Sequence, residues 1–85
     1  MVSLRHVIQN PRGMHAQPAA KIAMFALRQK ASCTLVCGEQ TARADQLMEL
    51  MALPAKCGDT LTVSCEGEDE QKALDGLQNI LEEFL

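Results

Sequence analysis

His15 stands where a histidine can do chemistry. It lies in Gly13-Met14-His15-Ala16-Gln17-Pro18-Ala19-Ala20, between a turn and an apolar helical stripe. Pro18 fits the opening turn of a helix, because the first N–H groups there have no intrahelical partner. With His15 at the N-cap, the backbone N–H groups of Ala16 and Gln17 are free beside the imidazole. Such a helix start attracts anions through its open donors and its dipole. The same field disfavours an imidazolium, which leaves a neutral ring with a nucleophilic lone pair. A nucleophilic nitrogen beside an anion cradle is equipment for accepting a phosphoryl group. The phosphorus–nitrogen bond so formed is labile, which suits a group that must be passed on.

The other candidates are weaker. His6 falls on the inward face of a strand, lacks a helix start, and reads as a core or edge histidine satisfied by a neighbour. The cysteines are Cys33, Cys37, Cys57 and Cys65. Cys33 and Cys37 are four residues apart on a strand, roughly 13 Å, too far to share an ion or form a bridge. The cysteines read as small buried apolar side chains, and neither a metal nor a cofactor is expected.

These residues need elements to position them. Residues 2–8 alternate, with Val2, Leu4, His6 and Ile8 on one face, as in a half-buried strand. Asn10-Pro11-Arg12-Gly13 is turn chemistry. A helix over about 16–29 follows, with Ala19, Ile22, Ala23 and Ala26 inward. Cys33, Leu35 and Cys37 mark a second strand, and Gly38-Glu39 turns into a third over 40–43. A short helix over about 45–53 ends before Pro54. Leu61, Val63 and Cys65 face inward on a fourth strand. The last helix, about 69–84, has the stripe Ala73, Leu74, Leu77, Ile80, Leu81 and Phe84, with acids in its first turn. The order β-α-β-β-α-β-α predicts an α+β, two-layer open-faced sandwich. Its four-stranded antiparallel sheet is covered on one face by three helices.

Composition sets the outer bounds. A chain of 85 residues is expected to be one domain over 1–85. Apolar residues make up 47%, a globular composition. The net charge is −3 and there is no Trp or Tyr, so nucleic acid is not an expected partner. No apolar run approaches the roughly 18 residues of a membrane span. The opening MVSLRHVIQN lacks the apolar core of a signal peptide. A cytoplasmic location without direct membrane insertion is expected.

The motif Gly13-x-His15-Ala16-x-Pro18-Ala19 resembles the phosphorylation-site signature of the HPr family, the histidine-containing phosphocarriers of the bacterial phosphoenolpyruvate-dependent sugar phosphotransferase system. The similarity runs the full length and includes the Asn10–Gly13 turn and Glu66-Gly67-Glu68-Asp69-Glu70. It implies an open-faced sandwich and a phosphocarrier with no independent turnover. It implies Nδ1 of His15 as acceptor atom, an enzyme I-type protein as donor and an enzyme II A-type protein as acceptor. A monomer is expected.

Several positions depart from that family. Arginine usually precedes the proline, where Gln17 stands here; glutamine donates a hydrogen bond but brings no charge, and charge-assisted bonds are roughly twice as strong. Arg12 is the candidate cation in its place. Phosphate binding is thus expected from Ala16, Gln17 and Arg12. The serine that many relatives carry at the short helix is Gln46 here, so regulatory phosphorylation there is not expected. Leu47 and Leu50 inward would place Met48 and Met51 on the outer face, and partner docking is expected from Ala20, Met24, Leu47, Met48 and Met51. Relatives often carry basic residues around that face, where this chain has Met24, Leu27, Asp45 and Glu49. The lost positive charge favours a specialised partner. The competing function is a regulatory HPr-like binding protein with weak onward transfer.

Overall fold

Alternating side chains make the strands. In the computed structural model, which describes residues 1–85, β1 spans Val2–Val7 and turns Val2, Leu4 and His6 toward the helices. β2 (Ser32–Cys37) buries Cys33, Leu35 and Cys37, and β4 (Thr60–Glu66) buries Leu61, Val63 and Cys65. β3 (Gln40–Arg43) is shorter and buries Ala42 alone. The four strands form one antiparallel sheet in the order β1-β4-β2-β3. β4 therefore sits centrally, with Val63 opposite both Leu4 and Leu35.

Three helices cover one face: α1 (Ala16–Ala26), α2 (Leu47–Ala52) and α3 (Glu70–Phe84). Their inward stripes and the sheet's apolar face make one core of 23 buried residues. Ile8, Ile22, Leu35, Leu50, Leu61, Leu77 and Leu81 are among its fully buried members. The expected order β-α-β-β-α-β-α and the layering are those observed.

The helix ends differ from the sequence expectation for identifiable reasons. α1 stops at Ala26, not Gln29, because its last turn tightens. The N–H groups of Arg28 and Gln29 bond to the Phe25 and Ala26 carbonyls at 3.1 Å each. The next two donors, on Lys30 and Ala31, go to the Asp69 carboxylate at 3.1 and 2.7 Å, which pulls the chain away from the helix axis. α2 starts at Leu47 because Ala44 still donates to the Cys33 carbonyl at 2.9 Å, and Gln46 turns back on Arg43 at 3.1 Å. Asp69 caps α3 in position only, since its carboxylate serves the segment after α1.

Three side-chain expectations need correction. Leu47 does not pack inward with Leu50. So short a helix buries the turn facing the sheet, Leu50 and then Leu53, and leaves Leu47 41% exposed. His6 is half-buried, but no neighbour satisfies it, and its Nε2 has no hydrogen-bond partner. Cys57 is exposed on the segment before β4 rather than buried; the other three cysteines are buried.

Candidate functional site

The loop from Gln9 to Met14 is fixed from three sides. Ile8 donates to the Asp59 carbonyl at 2.9 Å and Asn10 to the Leu85 carbonyl at 3.0 Å. Met14 donates to the Ala55 carbonyl at 3.0 Å. Within the loop the Asn10 side-chain oxygen accepts the Arg12 N–H at 2.8 Å, and the Gly13 N–H reaches the Asn10 carbonyl at 2.9 Å. This is an Asx turn closed by a glycine in the left-handed region, φ 63°. It delivers the chain to His15 at the start of α1.

His15 is the N-cap, with extended backbone at φ −141°, ψ −172°. Its carbonyl accepts the Ala19 N–H at 3.0 Å, the first turn of the helix. The N–H groups of Ala16 and Gln17 have no acceptor in the chain, and the His15 side chain does not occupy them. Both residues are exposed, whereas Pro18 and Ala19 are buried beneath them. The imidazole is half-exposed, so a nucleophilic ring stands beside two open donors at the positive end of a helix.

The other expected residues group around this point to different degrees. Gln17 and Ala16 belong to the helix start itself. Arg12 is exposed in the preceding turn and makes no ion pair within the chain. α1 and α2 pack on one another, and their outer faces carry Met24, Leu27, Leu47, Met48 and Met51 exposed. Met48 is the most open of these at 78%. Ala20 is half-buried on α1. A surface cavity of about 310 Å³ lies elsewhere, among Ala26, Lys30, Cys33, Arg43 and Asp45.

Two features escaped the sequence. The Nδ2 of Asn10, in sequence only a turn residue, stands 3.5 Å from His15 Nε2. It comes there because it also donates to the Phe84 carbonyl at the end of α3, at 2.9 Å. No local signal announces a contact that needs residue 84. Cys33 and Cys65 are cross-strand partners with their sulfurs 2.6 Å apart. Spacing along one strand says nothing about a pairing set by sheet order. Burial, above all, pushes both thiols up, so they stay protonated in the core.

A helix-covered, open-faced sheet with a half-exposed histidine at the start of its first helix defines a narrow class of small α+β proteins. The sequence pattern described as the PTS HPr component phosphorylation site matches residues 2–83, and the chain belongs to the HPr family of phosphocarriers of the phosphotransferase system. It is 34% identical to the phosphocarrier protein HPr of Mycoplasma pneumoniae over 83 residues, 96% of this chain and 94% of that one. It is also 34% identical over 74 residues to the phosphoryl donor subunit DhaM of a PEP-dependent dihydroxyacetone kinase from Providencia stuartii. That match takes in 87% of this chain but spans only 16% of the DhaM subunit. The crystal structure of HPr-C-His from Thermoanaerobacter tengcongensis superposes with a TM-score of 0.89 at 28% identity, over 96% of this chain and 92% of that one.

Proposed function

We propose that His15 accepts a phosphoryl group from an enzyme I-type protein charged by phosphoenolpyruvate and hands it to an enzyme II A-type acceptor. The observation that carries this is the helix start: an imidazole at the N-cap with the Ala16 and Gln17 N–H groups open beside it. Family membership supports Nδ1 as the attacking atom. Nδ1 attacks through its in-plane lone pair while the ring proton sits on Nε2. As the phosphorus–nitrogen bond forms, the bond from phosphorus to the donor breaks, and the Nε2 proton then passes to water. Phosphoryl oxygens then accept from the two backbone donors, whose positions are fixed before the reaction and cost little reorganisation. Arg12 supplies the cation that Gln17 does not. The protein ends each cycle as it began and acts as a carrier, with no turnover of its own.

Met24, Leu27, Leu47, Met48 and Met51 form the docking surface on this view, with Ala20 at its inner edge. Methionine adapts to differently shaped partners, which suits a carrier that meets a donor and an acceptor in turn. His15 lies on the open surface, so its reaction partner arrives on another protein. A single chain holds the whole site and works as a monomer. Family membership supports a cytoplasmic setting and a role in sugar uptake.

The second reading is a regulatory protein that is charged but scarcely discharged. Gln17 is the observation in its favour, since the neutral side chain weakens the phosphate site. Single-turnover mixing of the phosphorylated protein with enzyme II A-type domains separates the two. Discharge much faster than spontaneous hydrolysis identifies a carrier, and discharge at the hydrolysis rate with every acceptor identifies the regulator.

A further inference from the structure

The Asn10 side chain is held at both ends. Its Oδ1 accepts the Arg12 N–H at 2.8 Å, and its Nδ2 donates to the Phe84 carbonyl at 2.9 Å. The two ends of a side-chain amide have the same shape, and their bonding partners decide which is which. A backbone donor at one end and a backbone carbonyl at the other fix the orientation here. The atom 3.5 Å from His15 Nε2 is therefore Nδ2, which can only donate. It carries two hydrogens; Phe84 takes one, and the other is free for the ring.

A donor aimed at Nε2 requires a lone pair there. We propose that Asn10 is a positioning residue that keeps the Nε2 lone pair of His15 unprotonated, and so prolongs the life of the phosphoryl group on Nδ1. The inference rests on His15 being the phosphoryl acceptor. In the uncharged protein the neutral ring then holds its proton on Nδ1. Reaction needs an in-plane lone pair on Nδ1, so that proton first passes to water while Nε2 takes one up and turns from Asn10. Once the phosphorus–nitrogen bond has formed, the Nε2 proton returns to water and Nε2 faces the Asn10 amide again. When the bond breaks, its electron pair returns to Nδ1 while water or the acceptor takes the phosphoryl group. A ring with a proton on Nε2 departs as neutral imidazole, whereas the unprotonated ring must depart as imidazolate, a far poorer leaving group. The Asn10 N–H opposes the protonation that makes departure easy. At 3.5 Å the contact is at the outer limit of a hydrogen bond, and such contacts commonly shorten once the reacting group is in place.

Charged groups near the loop act differently. Arg12 lies in the same turn, and the Lys56 backbone abuts Gly13. Lys21 of α1 lies over the Phe84 ring, 5.7 Å from its centre. Glu82 and Glu83, at the end of α3, are exposed. Interactions of such exposed charges weaken with salt, whereas the neutral Asn10 amide does not act through screened charge.

Two measurements test the proposal, and one needs no phosphorylation. Nitrogen-15 NMR of the uncharged protein reads the His15 tautomer directly. The parent shows the proton on Nδ1, and Asn10→Ala and Asn10→Asp move it toward Nε2. Asn10→Asp keeps an oxygen for the Arg12 N–H and so preserves the turn, with thermal unfolding as the check on the fold. In the charged protein both variants lose the phosphoryl group severalfold faster at neutral pH, and their pH–lifetime profiles move to higher pH at low and high salt alike. A parent with its proton on Nε2, or a folded Asn10→Asp protein with unchanged tautomer and lifetime profile, overturns the proposal. Failure of His15 to charge at all would count against the phosphocarrier reading, and the tautomer would still decide the role of Asn10.

Discussion

The Gly13 backbone lies so close to the Ala55 carbonyl that a side chain has no room, and the same carbonyl accepts the next amide, from Met14, at 3.0 Å. The segment after α2 thus clamps the loop two residues before His15.

Gly13→Ala is expected to unseat that clamp. Gly13 has φ +63°, and its added Cβ would collide with the Ala55 carbonyl. The left-handed backbone alone costs about 1–2 kcal/mol for a residue with a side chain. Displacing the Met14 hydrogen bond adds about 1 kcal/mol. Gly38, with φ +61° and nothing within 4 Å of an added Cβ, is the internal control and should lose only the backbone part. Urea unfolding of the two variants gives the comparison; equal losses would mean the Ala55 contact is immaterial.

Arg12→Ala is expected to shorten the lifetime of phosphorylated His15, since the phosphoryl group carries close to two negative charges and Gln17 offers none in return. An exposed ion pair of this kind contributes about 0.2–1 kcal/mol, up to about fivefold in rate. Gln17→Arg in the Arg12→Ala background should restore it. Unchanged charging and lifetime in Arg12→Ala would leave Arg12 as a solvated loop residue.

Met48→Asp should spare the fold and impair docking. Met48 is 78% exposed, and such surface changes usually fall within about 0.5 kcal/mol in stability. Transfer rates with a donor protein should fall while the thermal midpoint holds. An unchanged transfer rate would move the docking surface away from α2.

Acid should release the segment after α1. The N–H of Lys30 and, in second place among the favourable contacts, that of Ala31 hold the Asp69 carboxyl below its ordinary 3.8, against a partial offset from burial. The Gly67 N–H does the same for Glu70, below its ordinary 4.5. A folded value lowered in this way stabilises the protein fully above the unfolded value, and the benefit is lost as pH falls through the folded one. Stability should therefore drop below about pH 4, and Asp69→Asn should flatten part of that drop. An identical acid profile in Asp69→Asn would contradict it.

The fold was legible because each element carried its own signal. The alternation in β2 and β4, the stripe of α3 and the stop at Pro54 are all local. The place of His15 at the start of α1 was legible for the same reason, since a glycine turn, a histidine and a proline in the first helical turn sit within six residues. The rest depended on distant chain. α1 ends early because Asp69 takes the next two amides, and Asn10 meets His15 because residue 84 anchors it. The cysteine pairing required the sheet order, which places β4 between β1 and β2. The inward packing of Leu47 misled, though not its place on the docking face, because helical periodicity marks a face but not how far the covering layer extends.

Intact-mass measurement after incubation with phosphoenolpyruvate and an enzyme I-type protein tests the central role of His15 most directly. The parent and a His6→Ala variant should each gain one phosphoryl group, in acid-labile and base-stable form, while His15→Ala gains none. A folded His15→Ala protein that still takes up the group, or a parent that stays uncharged with every enzyme I-type donor tried, would contradict it.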